Sequence, residues 1–153
     1  MTIALDADIR QVLEDPATRA FIATVDENGT PHLEEKHAVH LDEEGRILIP
    51  EEGEYSRTNL NLVRSLWFDR KAVLHLLARN RSYEVVLQPY KVHIAGPLYE
   101  SYYRQYLEKS KEISLSGVWV LHPETVTEET ANIRTERENA DRLPLTHLDR
   151  IAK

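Results

Sequence analysis

The first fifty residues alternate between short apolar runs and turn sequences. Residues 20–25 are rich in strand formers, and the Asn28-Gly29 pair that follows is typical of a tight hairpin turn. The pattern predicts a second strand over residues 30–41, antiparallel to the first. A further turn leads into an apolar third strand over residues 46–50. These three strands form a meander, and one short amphipathic helix over residues 6–14 precedes them.

The rest of the chain adds three more strands and two helices. The predicted strands are 71–78, 83–98 and 115–121, and the predicted helices are 57–64 and 100–113. Pro89 lies inside the longest of these strands. Because proline cannot donate to the strand ladder, we expect the strand to bend there.

Six strands and short peripheral helices predict a mainly β fold, a six-stranded antiparallel barrel. A sheet of this size must close or be covered to protect its edges. The 153 residues fit a single domain, which we place at residues 1–126. Residues 127–153 carry six acidic and five basic residues and few large apolar ones. We expect them to form a charged tail that packs on the barrel or on a partner.

Composition and charge argue against several kinds of site and partner. The chain has no cysteine, which excludes disulfide frameworks, thiolate zinc sites, iron–sulfur clusters and cysteine nucleophiles. Its net charge of −7 argues against nucleic acid as a partner, because such binders neutralise phosphates with basic residues. The sequence shows neither a signal-peptide pattern nor an apolar run long enough to cross a bilayer. We therefore expect a soluble, cytoplasmic protein with neither a nucleic-acid nor a membrane partner.

A group of hydrogen-bond donors lies at the start of the helix predicted over residues 57–64. Ser56, Arg57 and Thr58 supply two hydroxyls and a guanidinium beside the free N–H groups of the helix start. A phosphate group binds to this combination of fixed donors and positive charge. The same residues also fit a simpler role, in which Ser56 or Thr58 caps the helix and Arg57 is solvated.

The second predicted strand carries polar residues among apolar ones. Since side chains alternate along a strand, one face contains Leu33, Glu35, His37, Val39 and Leu41, and its apolar members predict that it faces the core. Glu35 and His37 would then need a partner or a ligand. A bulge would instead leave both side chains in water. A metal site is the weaker interpretation, because no third ligand is marked.

Aromatic residues provide one further candidate. Trp119 lies in the last predicted strand, where it would either pack in the core or cover a flat ring. Tyr99, Tyr102, Tyr103 and Tyr106 have the helical spacing of a core or dimer face. The chain has no glycine-rich nucleotide loop and no nucleophile elbow.

Four segments, in this order and spacing, resemble the FMN-binding split-barrel family, which includes pyridoxamine 5'-phosphate oxidase. They are residues 22–26, 29–33, 45–50 and 57–62. The likeness covers about residues 19–98 and is greatest to the small bacterial FMN-binding proteins. It implies a split barrel and a homodimer with two FMN sites at the interface, each lined by both chains.

The resemblance also implies roles for individual residues. Arg57 and Thr58, with Ser56 beside them, would bind the flavin phosphate, and Asn61 matches a further motif position. The isoalloxazine ring would lie along residues 35–38 and 48–50. The residues placed at the ring are Glu35, Lys36, His37, Ile49 and Pro50, with Trp119 as the aromatic that covers it. At Lys36 and His37 this chain departs from the small FMN-binding proteins, which carry uncharged residues there.

These features favour an FMN-dependent oxidoreductase or electron carrier with a small-molecule or protein redox partner. The alternative is a split-barrel dimer without flavin. Such a dimer would bind haem through a histidine such as His37, or would act only as an interaction module.

Overall fold

The computed structural model describes residues 4–109 and 114–151. Its helices are α1 (Ala7–Glu14), α2 (Arg57–Phe68), α3 (Pro97–Lys109) and α4 (Ala131–Ile151). Its strands are β1 (Arg19–Val25), β2 (Pro31–Lys36), β3 (His40–Leu41), β4 (Ile47–Glu51), β5 (Ala72–Leu77), β6 (Ser82–His93) and β7 (Gly117–Glu128). All seven strands belong to one sheet.

The sheet is antiparallel throughout and curls into a half-barrel, which confirms the predicted split β-barrel. Its strand order is β2-β1-β5-β6-β7-β4-β3. β2 and β3 follow each other in the chain yet lie at opposite edges of the sheet. Residues 37–39 therefore cross the opening between the two edges. The single strand predicted over residues 30–41 is divided at this crossing, so the predicted count of six strands is wrong.

The two hairpin turns have the geometry that their sequences predict. Gly29 and Gly45 adopt positive φ angles of 82° and 81°, which glycine reaches without steric cost. Asp26 begins the first turn, and its carboxylate accepts hydrogen bonds from the backbone N–H groups of Asn28 and Thr30. The local sequence therefore explains both connections.

Several element ends differ from the sequence prediction. α2 extends to Phe68 and ends at Asp69, which adopts a left-handed conformation with a φ of 50°. β6 ends at His93. β7 continues past Pro123 to Glu128, because a register shift against β6 absorbs the proline. The domain boundary proposed after residue 126 therefore falls inside β7, and part of the helix predicted over 100–113 lies outside the described residues.

The tail contains a long helix, α4, which the sequence interpretation did not include. Most of its side chains between residues 131 and 142 are exposed. Two bonds fix its start: Thr130 Oγ1 accepts from the N–H of Ser82, and Arg137 donates to the carbonyl of Glu128. Within residues 4–109 and 114–151, no helix is long and apolar enough to span a bilayer.

Two clusters of buried side chains form the core. The larger one fills the inside of the half-barrel and includes Ile22, Ile47, Ile49, Leu74, Leu76, Val85, Leu87, Trp119 and Leu121. The smaller one lies under α3 and consists of Leu48, Tyr102, Leu115, Val118 and Val120. Because adjacent residues of β4 and of the first half of β7 contribute to different clusters, these segments are buried on both faces.

The inward face of β2 is the opposite of the predicted one. β1 buries Ala20, Ile22 and Thr24, and the residues directly across from the first two are Lys36 and Glu34. Leu33, expected in the core, is 64% exposed. The alternation was interpreted correctly but its phase was wrong, because pairing with β1 fixes the register and overrides the apolar pattern.

Candidate functional site

The N-terminus of α2 presents the predicted group of donors. Ser56 is the N-cap, and its hydroxyl accepts from the N–H of Asn59 at 3.0 Å. Arg57 is exposed and forms no hydrogen bond or ion pair with any described residue. Thr58 is fully buried, and its Oγ1 finds no hydrogen-bond partner among the described residues. A guanidinium without a partner among the described residues and an unsatisfied hydroxyl thus occur at adjacent residues of the helix start, the first exposed and the second buried.

Glu51, at the end of β4, connects this helix start to the split of the barrel. Only 2% of the residue is exposed. Its Oε1 accepts from the Ser56 hydroxyl at 3.0 Å, and its Oε2 lies 2.6 Å from Lys36 Nζ. The Ser56 side chain is therefore already bonded on both sides, to Glu51 and to Asn59.

Lys36 is the centre of a small ionic group. Its side chain is 8% exposed and contacts two carboxylates, those of Glu51 and Glu34, the latter at 3.3 Å. Pairing with β1 places Lys36 on the inward face of β2, where a charge requires a partner. Glu51 provides that partner from across the opening between the sheet edges.

A cleft of about 260 Å³ lies over this ionic group; we call it the acidic cleft. It is lined by residues 34–38, Pro50, Glu51, Glu52 and Tyr106. Four of the predicted ring-binding residues therefore meet here, namely Glu35, Lys36, His37 and Pro50. Burial and, secondarily, the neighbouring Glu52 carboxylate raise the pKa of Tyr106 to about 12. The phenol thus remains a hydrogen-bond donor at neutral pH.

The acidic cleft is negative overall. Four glutamates line it, at positions 34, 35, 51 and 52, against the single lysine, Lys36. Glu35 is turned towards Arg19, with which it forms a paired hydrogen bond at 2.9 and 3.0 Å. This bond lowers the pKa of Glu35. The cleft therefore favours hydrogen-bond donors and positive charge over a second anion.

A larger cleft of about 390 Å³ lies on the other side of residues 36–38; we call it the histidine cleft. Residues of α1 and of the crossing segment line it, including His37 and His40. Nδ1 of His40 lies 2.6 Å from the hydroxyl oxygen of Tyr102. Burial, with a smaller effect of Lys109, lowers the pKa of His40, while burial raises that of Tyr102 to about 12. His37 borders both clefts.

Besides Ser56, Arg57 and Thr58 at the start of α2, three predicted cofactor residues line neither cleft. Ile49 and Trp119 are buried in the core, and the indole N–H of Trp119 donates to Asn59 Oδ1 at 2.8 Å. Trp119 thus has the core role that the sequence left as an alternative. Asn61 is buried, and its amide donates to Thr24 Oγ1 at 3.1 Å.

Sequence reasoning missed Glu51 and Tyr106 as parts of the site. The signal for Glu51 was weak: it directly follows the apolar residues 47–50, where a charge suggests either solvent or a buried partner. No group of three metal-ligating side chains occurs in the part of the chain that the structure describes.

No family model and no curated protein matches this chain. Solved structures do match. HupZ from Group A Streptococcus is 17% identical, with 83% of this chain and 95% of HupZ covered and a TM-score of 0.68. A pyridoxamine 5'-phosphate oxidase-like protein from Lactobacillus delbrueckii is 18% identical, with coverages of 81% and 93% and a TM-score of 0.61.

The names of two further matching structures mention a cofactor. An FMN-binding protein from Syntrophomonas wolfei is 16% identical, with coverages of 78% and 82% and a TM-score of 0.61. HutZ, the haem storage protein from Vibrio cholerae, is 14% identical, with coverages of 82% and 94% and a TM-score of 0.56. At these identities the likeness establishes a shared fold.

Proposed function

We propose that this chain, which has the split-barrel fold of pyridoxamine 5'-phosphate oxidase-like proteins, binds FMN between two copies of itself. It would act in the cytoplasm as a flavoprotein oxidoreductase or electron carrier with a small-molecule or protein redox partner. When bound, FMN supplies the electron and hydride chemistry, and the protein supplies binding, orientation and electrostatics. This proposal adds a cofactor to the shared fold, and the donor groups at the start of α2 support it.

The unsatisfied hydroxyl of Thr58 is the observation that carries this proposal. A buried hydroxyl without a partner costs about 1–3 kcal/mol, so its presence requires an explanation. A phosphate at the start of α2 would accept from this hydroxyl, from the free helix N–H groups and from Arg57. The hydrogen bond from the N–H of Thr30 is the main cause that lowers the pKa of Asp26, and Arg64 and Arg57 add smaller effects. The Arg57 guanidinium therefore lies near the turn between β1 and β2.

The ring of FMN would extend from the phosphate towards the acidic cleft, because Glu51 belongs to both places. There Lys36 and Tyr106 offer donors to the ring's carbonyl oxygens, and the glutamates offer acceptors to its N–H group. Ser56 would act through Glu51 and the helix cap, since both of its bonds are already made. The negative charge of the cleft weakens the binding of an anionic cofactor, so Arg57 must offset it.

The test is FMN binding to the purified protein, followed by visible absorption and flavin fluorescence. Arg57→Ala should weaken binding by about 10–100-fold, because it removes charged hydrogen bonds to phosphate. Lys71→Ala is the matched control: Lys71 pairs with Glu124 at the surface, and its loss should change binding by less than about twofold. A protein that takes up no FMN, or equal effects of the two variants, would contradict the proposal.

Thr58→Val separates a cofactor role from a structural one. Valine has nearly the same shape but no hydroxyl, so it removes the unsatisfied group. The cofactor-free protein should gain about 1 kcal/mol in free energy of unfolding, while FMN binding weakens by about tenfold. Lower stability without FMN would show that the hydroxyl has a structural partner.

Haem is the second candidate, and the position of His37 favours it. This histidine is exposed and borders both clefts, so it could reach a flat ligand from either side. Haem binding would give a Soret band that His37→Ala abolishes. If neither chromophore binds, the remaining interpretation is a split-barrel dimer that acts as an interaction module.

A further inference from the structure

α2 has an inverted distribution of polar and apolar residues. Its buried residues are Thr58, Asn61, Leu62 and Ser65. Its outward side chains form the α2 outer face, which we define as Leu60, Val63, Leu66, Trp67 and Phe68. A helix on the surface of a barrel normally buries its apolar stripe and exposes its polar one.

The inner side of α2 packs against the barrel through hydrogen-bonded polar residues and one buried leucine. Asn61 donates to Thr24, and the Ser65 hydroxyl donates to the carbonyl of Asn61 at 2.8 Å. These bonds satisfy polar groups against the barrel, and Leu62 fills the remaining apolar contact. The α2 outer face is therefore available for a contact outside its own barrel.

The α2 outer face is as large as the largest apolar patches that monomers expose, which are often functional. Trp67 is 81% exposed and Phe68 is 66% exposed. With the three aliphatic side chains, the exposed area is on the order of 600 Å², given that an aromatic side chain covers about 150–250 Å². Typical monomers expose largest patches of about 300–600 Å², and a standard interface buries about 800 Å² per partner.

We propose that the α2 outer face binds the same face of a second copy, with the two helices antiparallel about a two-fold axis near Val63. This face is self-complementary: Leu60 and Trp67 lie at similar distances on either side of the axis, so each Leu60 packs against the second copy's Trp67. At each end of the contact, Arg57 comes beside Asp69 and Arg70 of the other copy. Arg70 already donates to the carbonyl of Asp26, and the two antiparallel helix dipoles oppose each other.

This contact is independent of any cofactor and is present in the cofactor-free protein. It is compatible with a phosphate role for Arg57, because a guanidinium has several N–H donors on separate edges. If two copies also meet around the acidic cleft, the α2 contact forms a second two-fold interface in the same assembly.

The first test is the mass of the full-length protein in solution, by sedimentation or light scattering, at about 100 μM. Leu60→Glu should halve this mass or weaken association by at least about tenfold, because it places a charge against Trp67 of the second copy. Leu107→Glu on α3 is the matched control, since Leu107 is 45% exposed and Leu60 is 47% exposed. A monomeric wild-type protein, or equal masses for the two variants, would overturn the proposal.

The second test uses the unmodified chain and does not depend on a variant that folds. Trp119 is fully buried, so changes in tryptophan emission on dilution report Trp67. Emission should shift to the red, and iodide quenching should increase, as the assembly dissociates. If Trp67 is instead quenched freely at all concentrations and becomes shielded only by vesicles of phosphatidylcholine and phosphatidylglycerol, the face binds lipid and the proposal fails.

Discussion

Lys36 and Glu51 form the most deeply buried ion pair among the described residues, with side-chain exposures of 8% and 3%. Neither charge is stable alone at this depth, because removing a charge from water costs several kcal/mol. Ser56 adds a further hydrogen bond to the Glu51 carboxylate. The pair therefore joins β2, β4 and the start of α2 at the opening of the barrel.

Replacing one member of this ion pair should destabilise the protein more than replacing both members. Lys36→Met or Glu51→Gln alone should each lower the free energy of unfolding by about 3–5 kcal/mol, because each leaves a buried partner unmatched. The double variant should lose much less than the sum, a coupling that urea denaturation of all four proteins measures. Additive losses would mean that the two groups are stabilised by other contacts.

The elements β6 and β7 approach closely where β7 begins. A Cβ atom on Gly117 would lie 2.7 Å from Val92 Cγ2 and 3.3 Å from the carbonyl oxygen of His93. Gly117 of β7 also pairs directly with Glu51 of β4. The lack of space for a Cβ atom, rather than a positive φ angle, thus requires glycine at this position.

Gly117→Ala should therefore destabilise the protein by about 1–3 kcal/mol through overpacking. Val92→Ala in the same chain removes the methyl group that the new Cβ would contact, so the combined variant should recover part of the loss. Thermal and chemical unfolding of the single and double variants provide the measurement. An unchanged stability for Gly117→Ala would indicate that the strands separate at little cost.

Among the helices, strands and turns, the sequence correctly predicted those features that depend only on residues adjacent in the chain. The Asn28-Gly29 turn, the helix α1 and the donors at the start of α2 are all where their sequences indicate. The phase of β2 could not be predicted in the same way. It depends on the register with β1, which hydrogen bonds between distant residues determine.

The whole molecule consists of the barrel and the α4 extension. β7 ends at Glu128, whose carboxylate binds Arg81, and Thr130 binds the backbone of Ser82. Beyond Thr130 the side chains up to residue 142 are mostly exposed. The stability of the barrel should therefore depend on residues up to 130 and little on α4.

Two truncations test this boundary. A chain ending at residue 130 should melt within about 3 °C of the full chain, because it keeps all of β7. A chain ending at residue 126 loses the last pairs between β6 and β7 and the Arg81–Glu128 bond, so it should melt at a clearly lower temperature. Equal melting temperatures for the two truncations would show that the end of β7 contributes nothing.

The sequence by itself determined the hairpin turns, most of the strands, the start of α2 and the class of fold, because these follow from the chemistry of adjacent residues. Only the tertiary structure decided that Lys36 faces inward, that Glu51 meets it, and that the apolar residues of α2 point away from the barrel. These features depend on contacts between segments far apart in the chain. A pattern along one strand or helix shows that it has two faces, but its neighbours determine which face is buried.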